Sequence, residues 1–164
     1  MKRIIERFAP AIVYLPDLLD HVFRYKHKPR TRVFILRQNG TGRQLLLVRN
    51  LLTPRVWSLP GGGIKRGEDK FAAAKRELEE ELSVRSYTSF DFLFDRTISK
   101  RGVEWSYYYF LATTEEDIGK LGFDVSEARW VSFDEIESLA LDVSLNREDL
   151  SDVRHRIDHS AQNR

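Results

Sequence analysis

Residues 57–68 read Trp57-Ser58-Leu59-Pro60-Gly61-Gly62-Gly63-Ile64-Lys65-Arg66-Gly67-Glu68, and a helical pattern follows from about Glu68 to Ser83. Three consecutive glycines and Gly67 allow backbone conformations that other residues resist. They also leave main-chain carbonyls and amides open to close approach by a ligand. With Glu77 at zero and about 100° per residue, Glu80 sits near −60° and Glu81 near +40°, one wedge roughly 100° wide. Leu78, Phe71 and Leu82 fall on an adjacent apolar stripe that should face the core. Glu79 points elsewhere and reads as solvated.

An acidic wedge of this kind needs a reason. Glu is a good helix former, but Glu77 and Glu81 repel at i,i+4 by about 0.2–0.5 kcal/mol. Both also lie towards the helix C-terminus, where the dipole disfavours negative charge. A divalent cation would reverse that penalty. Carboxylates together with water and a backbone carbonyl suit hard, oxygen-seeking ions such as Mg²⁺ or Mn²⁺.

Outward from this segment the chain reads as strands. Thr31–Gln38 and Gln44–Asn50 flank Asn39-Gly40-Thr41-Gly42, a hairpin signal. Ser86–Ile98 and Val103–Thr113 form a second expected pair, and Ala128–Ser132 a further short strand. A helix is expected from about Asp134, and Leu150, Val153 and Ile157 recur at helical spacing near the C-terminus. Strands and helices in this order predict a layered α/β or α+β domain. The divisions read from the pattern are a basic N-terminal segment over 1–29, a main domain over 30–142 and a C-terminal helix over 143–164.

The charges are unevenly spread. The 164 residues hold 27 Lys and Arg against 25 Asp and Glu. Residues 1–32 alone carry eight basic groups and three acidic ones, so the remainder is net negative. Within the leader, Pro16 can open a helix whose Leu18, Leu19, Val22 and Phe23 share a face. Such a face reads as docked on its own domain or on a second copy, a homodimer, rather than on an anionic membrane. A net charge of +2 argues against a duplex-binding protein. The absence of cysteine excludes disulfides, thiolate chemistry and Cys-ligated zinc. No apolar run approaches the length of a bilayer span, and a cytoplasmic location is expected.

The helix and its glycine turn resemble the signature of the Nudix hydrolases. The pattern runs Gly62, Glu68, then Arg76-Glu77-Leu78-Glu79-Glu80-Glu81-Leu82-Ser83-Val84. Every spacing holds and every acidic position is filled. One departure exists: Ser83 stands where the family carries a glycine that helps end the helix. Leu45–Arg49, Trp57–Gly62 and Arg129-Trp130-Val131 are similar to the family as well. The resemblance implies an α/β/α sandwich with a mixed sheet and a loop–helix–loop box. It also implies hydrolysis of a nucleoside diphosphate linked to another group. Glu77, Glu80 and Glu81 should hold Mg²⁺ or Mn²⁺ with the Gly61 carbonyl. Glu68 should support the site, and Arg76 should orient the carboxylates.

A pyrophosphate is anionic and repels hydroxide, so cations must screen its oxygens and acidify water. Water attacks phosphorus while a carboxylate takes its proton. Asp124, six residues before Trp130, is the candidate base, with Glu127 and Glu116 as rivals. Arg49, Arg55 and Lys65 are candidate phosphate contacts. In the aromatic run of Trp105, Tyr107, Tyr108, Tyr109 and Phe110, alternate members take opposite faces. Core packing is expected for most of them, and Tyr107 is the candidate for contact with a base. Three activities stay open: cleavage of a nucleoside diphosphate linked to ADP-ribose-like or nucleotide-sugar-like groups, pyrophosphate release from a nucleoside triphosphate, or non-catalytic binding of a nucleotide or RNA end. The complete set of Glu77, Glu80 and Glu81 argues against the last.

Overall fold

The computed structural model describes residues 29–40, 42–100 and 103–162. The leader helix expected after Pro16 lies outside them. Five strands form one mixed sheet: β1 (Arg30–Asn39), β2 (Gly42–Asn50), β3 (Ser89–Lys100), β4 (Val103–Thr113) and β5 (Val125–Ser132), in the spatial order β3-β4-β1-β2-β5. Only β1 and β4 run parallel, with Val33 opposite Phe110; every other pairing is antiparallel.

The central strands explain the layering. Val33-Phe34-Ile35-Leu36 and Leu45-Leu46-Leu47-Val48 are unbroken apolar runs, as expected of strands covered on both faces. Val33, Ile35, Leu46, Val48 and Phe110 turn to one face. There they pack on Ala74, Leu78 and Leu82 of helix α1 (Lys70–Leu82). Phe34, Leu36, Leu45, Tyr107 and Tyr109 turn to the other. They meet Leu150, Val153 and Ile157 of helix α3 (Arg147–Gln162). A one-turn helix, α2 (Phe133–Ile136), follows β5. The result is an α/β/α sandwich. The alternation expected along the aromatic run holds, with Trp105, Tyr107 and Tyr109 on the α3 side and Tyr108 and Phe110 on the α1 side.

Local chemistry sets the bounds of α1. The Asp69 carboxylate accepts from the amides of Phe71 at 2.9 Å and Ala72 at 3.1 Å, an N-cap. Ser83 ends the helix in the left-handed region, φ 57°. That conformation explains why glycine is favoured there. The serine keeps the turn, and its Oγ donates to the Lys120 carbonyl at 2.9 Å. At the far side of the sheet, Arg96 on β3 grips the buried Asp149 of α3, with Nη1–Oδ2 at 2.7 Å. Among the described residues, no helix is long and apolar enough to cross a membrane.

The glycine-rich segment occupies a split in the sheet. β1 and β2 pair only from Leu36–Leu45 to the turn, then diverge. Residues 58–63 wedge between them. Val48 and Ser58 exchange two backbone bonds of 2.9 Å on the β2 side. On the β1 side, Val33 N donates to Pro60 O at 3.0 Å and Thr31 N to Gly62 O at 2.8 Å. The wedge fixes the glycines at the end of the sheet where β1 and β4 begin and β2 ends.

Candidate active site

Gly61 has φ +129°, and a Cβ built there would lie 2.5 Å from the Thr31 carbonyl oxygen. Only glycine satisfies both constraints. Its amide donates to Glu81 Oε2 at 2.8 Å, and its carbonyl accepts from Arg32 Nη1. Gly62 lies against a different acid. A Cβ there would fall 2.3 Å from Glu77 Oε2. The loop and the acidic face of α1 are therefore in direct contact, as the spacing requires.

The three acids differ in environment. Glu81 is buried, and that burial pushes its carboxyl up to about 8, against the opposing pull of the Gly61 amide and the Arg32 charge. Asp124 and Glu77 raise it further by repulsion. Glu77 is also raised, chiefly by burial, with Glu80 and Asp124 adding to the effect. Glu80 is half exposed and is held by Arg76 at 3.0 Å and Lys65 at 3.8 Å. Among the described residues, no three acidic or imidazole groups converge on one point at metal-ligand distance. The donor set nonetheless suits a hard cation, because it is all oxygen and two of its members are acids whose burial penalises their charge.

Arg76 organises the cluster. Its Nε donates to Glu68 Oε1 at 2.7 Å, and Nη1 donates to Glu77 Oε1 at 2.7 Å and to Glu80 Oε2 at 3.0 Å. Nη2 donates to Gly63 O at 2.9 Å and Glu68 Oε2 at 3.0 Å. The Arg76 hydrogen bonds hold Glu68 down at about 2, against a smaller opposing effect of burial. Glu68 also accepts from the Lys65 amide at 2.8 Å, closing the loop onto the helix start.

Beside the cluster lies a cavity of about 360 Å³ whose lining includes Arg30, Arg32, Asn50, Trp105, Tyr107 and Asp124. Two expected site residues, Tyr107 and Asp124, thus share one space. Asn50 Oδ1 is buried there without a hydrogen-bond partner. Arg32 packs 5.4 Å from the Tyr107 ring centroid, and its Nε donates to Ser144 Oγ at 3.1 Å. Asp142 accepts from that hydroxyl at 2.7 Å, and Tyr109 donates to the Ser144 carbonyl at 2.5 Å. Arg32, on β1, is a buried cation held against the glycine loop, and sequence reasoning counted it only as part of a basic leader.

Other candidates lie elsewhere. Arg49 pairs with Glu127 at 3.0 Å and stacks 4.2 Å from the Trp57 ring, so it and that rival base brace β2 against β5. Glu116 accepts from the amides of Arg85 and Ser86, each at 2.8 Å, which fixes a loop and lowers its carboxyl below the ordinary range. Arg55 is exposed in the loop after β2. Neither Arg49, Arg55 nor Lys65 lines the cavity.

Comparison with known proteins adds the family. The description "NUDIX domain" matches residues 26–152. An RNA pyrophosphohydrolase of Pelagibacter ubique is 32% identical over 118 residues, 62% of this chain and 73% of that protein. One from Bradyrhizobium diazoefficiens is 44% identical over 69 residues, 38% of this chain and 41% of its own length. The chain therefore spans less than half of the latter relative. The NUDIX domain of Shewanella oneidensis NrtR, complexed with ADP ribose, superposes with a TM-score of 0.69 at 17% identity, covering 80% of this chain and 88% of that one. That likeness is one of fold.

Proposed function

The chain belongs to the Nudix family, and from that premise we propose that it hydrolyses the pyrophosphate linkage of a nucleotide. The observation that carries the reading is the contact between the acidic face of α1 and the Gly61–Gly62 loop, beside a cavity lined by Arg30, Arg32 and aromatic rings. The first reading of the substrate is a nucleoside diphosphate joined to a second group, ADP-ribose-like or nucleotide-sugar-like. The relatives favour a second reading, a triphosphorylated RNA 5′ end, because both are named RNA pyrophosphohydrolases.

Glu77, Glu80, Glu81 and the Gly61 carbonyl would hold Mg²⁺ or Mn²⁺. A cation held there would supply charge neutralisation for the acids and the phosphate oxygens and would lower the pKa of water. The chain's own groups do the rest. Arg76 and Glu68 hold the acids in place. Arg30 and Arg32 supply positive charge to the phosphates, and Tyr107 and Trp105 offer ring faces to a base. Asp124 is the assigned proton acceptor. In the net reaction one bridging P–O bond breaks and one P–O bond to water forms. The released proton passes to a carboxylate and then to solvent.

A panel of ADP-ribose, a nucleotide sugar, a dinucleoside tetraphosphate, a nucleoside triphosphate and a 5′-triphosphorylated oligoribonucleotide tests this, with products identified by mass. At least one member should be cleaved in Mg²⁺ at a phosphorus–oxygen bridge, and cleavage should stop in EDTA. If none is cleaved, the proposal fails.

A further inference from the structure

Away from the acidic cluster, two imidazoles stand together on the opposite layer of the fold. His155 and His159 lie one turn apart on α3, both exposed, with their Nε2 atoms 2.9 Å apart and their ring centroids 4.1 Å apart. The ring planes are inclined by 65°, so the rings meet through their nitrogens rather than by stacking. With His155 at zero and about 100° per residue, His159 falls at about +40°. Leu150, Val153 and Ile157, which seat α3 on the sheet, fall at about 160–220°. The imidazoles therefore point away from the core that α3 covers.

The separation of the two nitrogens has a chemical meaning. Imidazole nitrogen binds a metal ion at about 2.0–2.1 Å, so two such ligands at a right angle about one ion stand about 2.9 Å apart. A tetrahedral angle would require about 3.3 Å. The observed 2.9 Å matches the right-angled arrangement, which suits Ni²⁺ and Cu²⁺ with nitrogen and oxygen ligands. In the ion-free pair one ring donates from Nε2 to the other. With an ion between them both rings keep their proton on Nδ1, so no net proton is released. His159 also lies in the last turn of α3, where the helix dipole favours positive charge. Among the described residues no third acidic or imidazole group joins them at metal-ligand distance, so water fills the remaining positions.

We propose that His155 and His159 form a second metal site, a two-imidazole clip for a borderline transition-metal dication, Ni²⁺ or Cu²⁺. It differs from the acidic face of α1 in both ligand and place. That face offers oxygen and suits Mg²⁺ or Mn²⁺, whereas the clip offers nitrogen from the helix across the sheet. The site stands whether or not the chain hydrolyses a nucleotide.

Calorimetric titration of the untagged protein with NiCl₂, in excess Mg²⁺ to hold the acidic face, tests the clip. A single Ni²⁺ should bind per chain. His155→Ala and His159→Ala should each weaken it at least about tenfold, the smaller loss expected for a group that only supports a metal ligand. Glu80→Gln should leave it unchanged. Neither histidine substitution threatens the fold, because alanine is the best helix former. With equimolar Cu²⁺, electron paramagnetic resonance should show splitting from two nitrogens in wild type, lost in either histidine variant. Unchanged Ni²⁺ affinity in both variants overturns the clip, as does a wild-type Cu²⁺ spectrum with oxygen ligands alone. One Ni²⁺ for every two chains with a doubled mass also overturns it, because the ion is then shared between copies.

Discussion

Glu81→Gln is expected to stabilise the metal-free protein at alkaline pH while removing its activity. Glu81 is buried, and its carboxyl is raised to about 8 in the fold. A raised acid favours the protonated form, so the stability it contributes is complete below the ordinary carboxylate range and is lost as pH climbs through about 8. Integrated over that window the loss is on the order of 3–5 kcal/mol. Glutamine keeps the acceptor for the Gly61 amide without the charge. Urea unfolding in EDTA should therefore show the variant gaining on wild type between pH 5 and pH 9. Glu68 does not confuse the result. Its carboxyl is lowered to about 2, so its contribution is present above the ordinary range and lost only as pH falls towards 2. In Mg²⁺ the comparison should invert, because binding requires the carboxylate and releases its proton. Activity should fall at least about 100-fold, a loss beyond that typical for residues merely supporting a metal ligand. Parallel stability curves for the two proteins in EDTA would refute the assignment.

Gly62→Ala should separate function from folding. The added methyl would sit 2.3 Å from Glu77 Oε2 and 2.7 Å from Oε1. Those atoms end a flexible side chain, so the carboxylate swings away and breaks its 2.7 Å bond to Arg76. Displacement of a reacting group by about 1 Å can cost 100-fold in rate, and kcat/KM should drop by about that much. The melting temperature should move by only a few degrees. Gly61→Ala should do the reverse in stability. Its methyl meets backbone, the Thr31 carbonyl at 2.5 Å, at φ +129°, and the strain costs about 1–3 kcal/mol or more. Equal melting temperatures for the two variants would contradict this division.

The acidic face was legible because its chemistry is local. Ligands at i, i+3 and i+4 must share a helix side, and Glu77, Glu80 and Glu81 lie within five residues. The strands were legible for a similar reason, since β1 and β2 carry apolar runs that both layers cover. What stayed hidden depends on distant pairing. Arg32 meets Ser144 across 112 positions and Gly61 across 29, contacts made only when residues 58–63 enter the split between β1 and β2. Arg49 shows the same dependence on pairing. It sits at the end of β2, where the sequence reads as a candidate phosphate contact, and the register with β5 places Glu127 directly opposite as its ion-pair partner. Local composition also cannot show that Leu51 and Asp124, far apart in the chain, are joined by a backbone hydrogen bond.

The most direct test of the central claim is the turnover of Glu80→Gln in saturating Mg²⁺ on whichever panel substrate wild type cleaves. Glu80 is half exposed, pairing with the exposed Lys65 and with Arg76, which keeps its bonds to Glu68 and Glu77, so their loss should cost less than about 1 kcal/mol of stability. A fall of at least about 100-fold in kcat with the melting temperature preserved is the predicted result. Turnover within twofold of wild type would contradict the account and remove the acidic face of α1 from the chemistry.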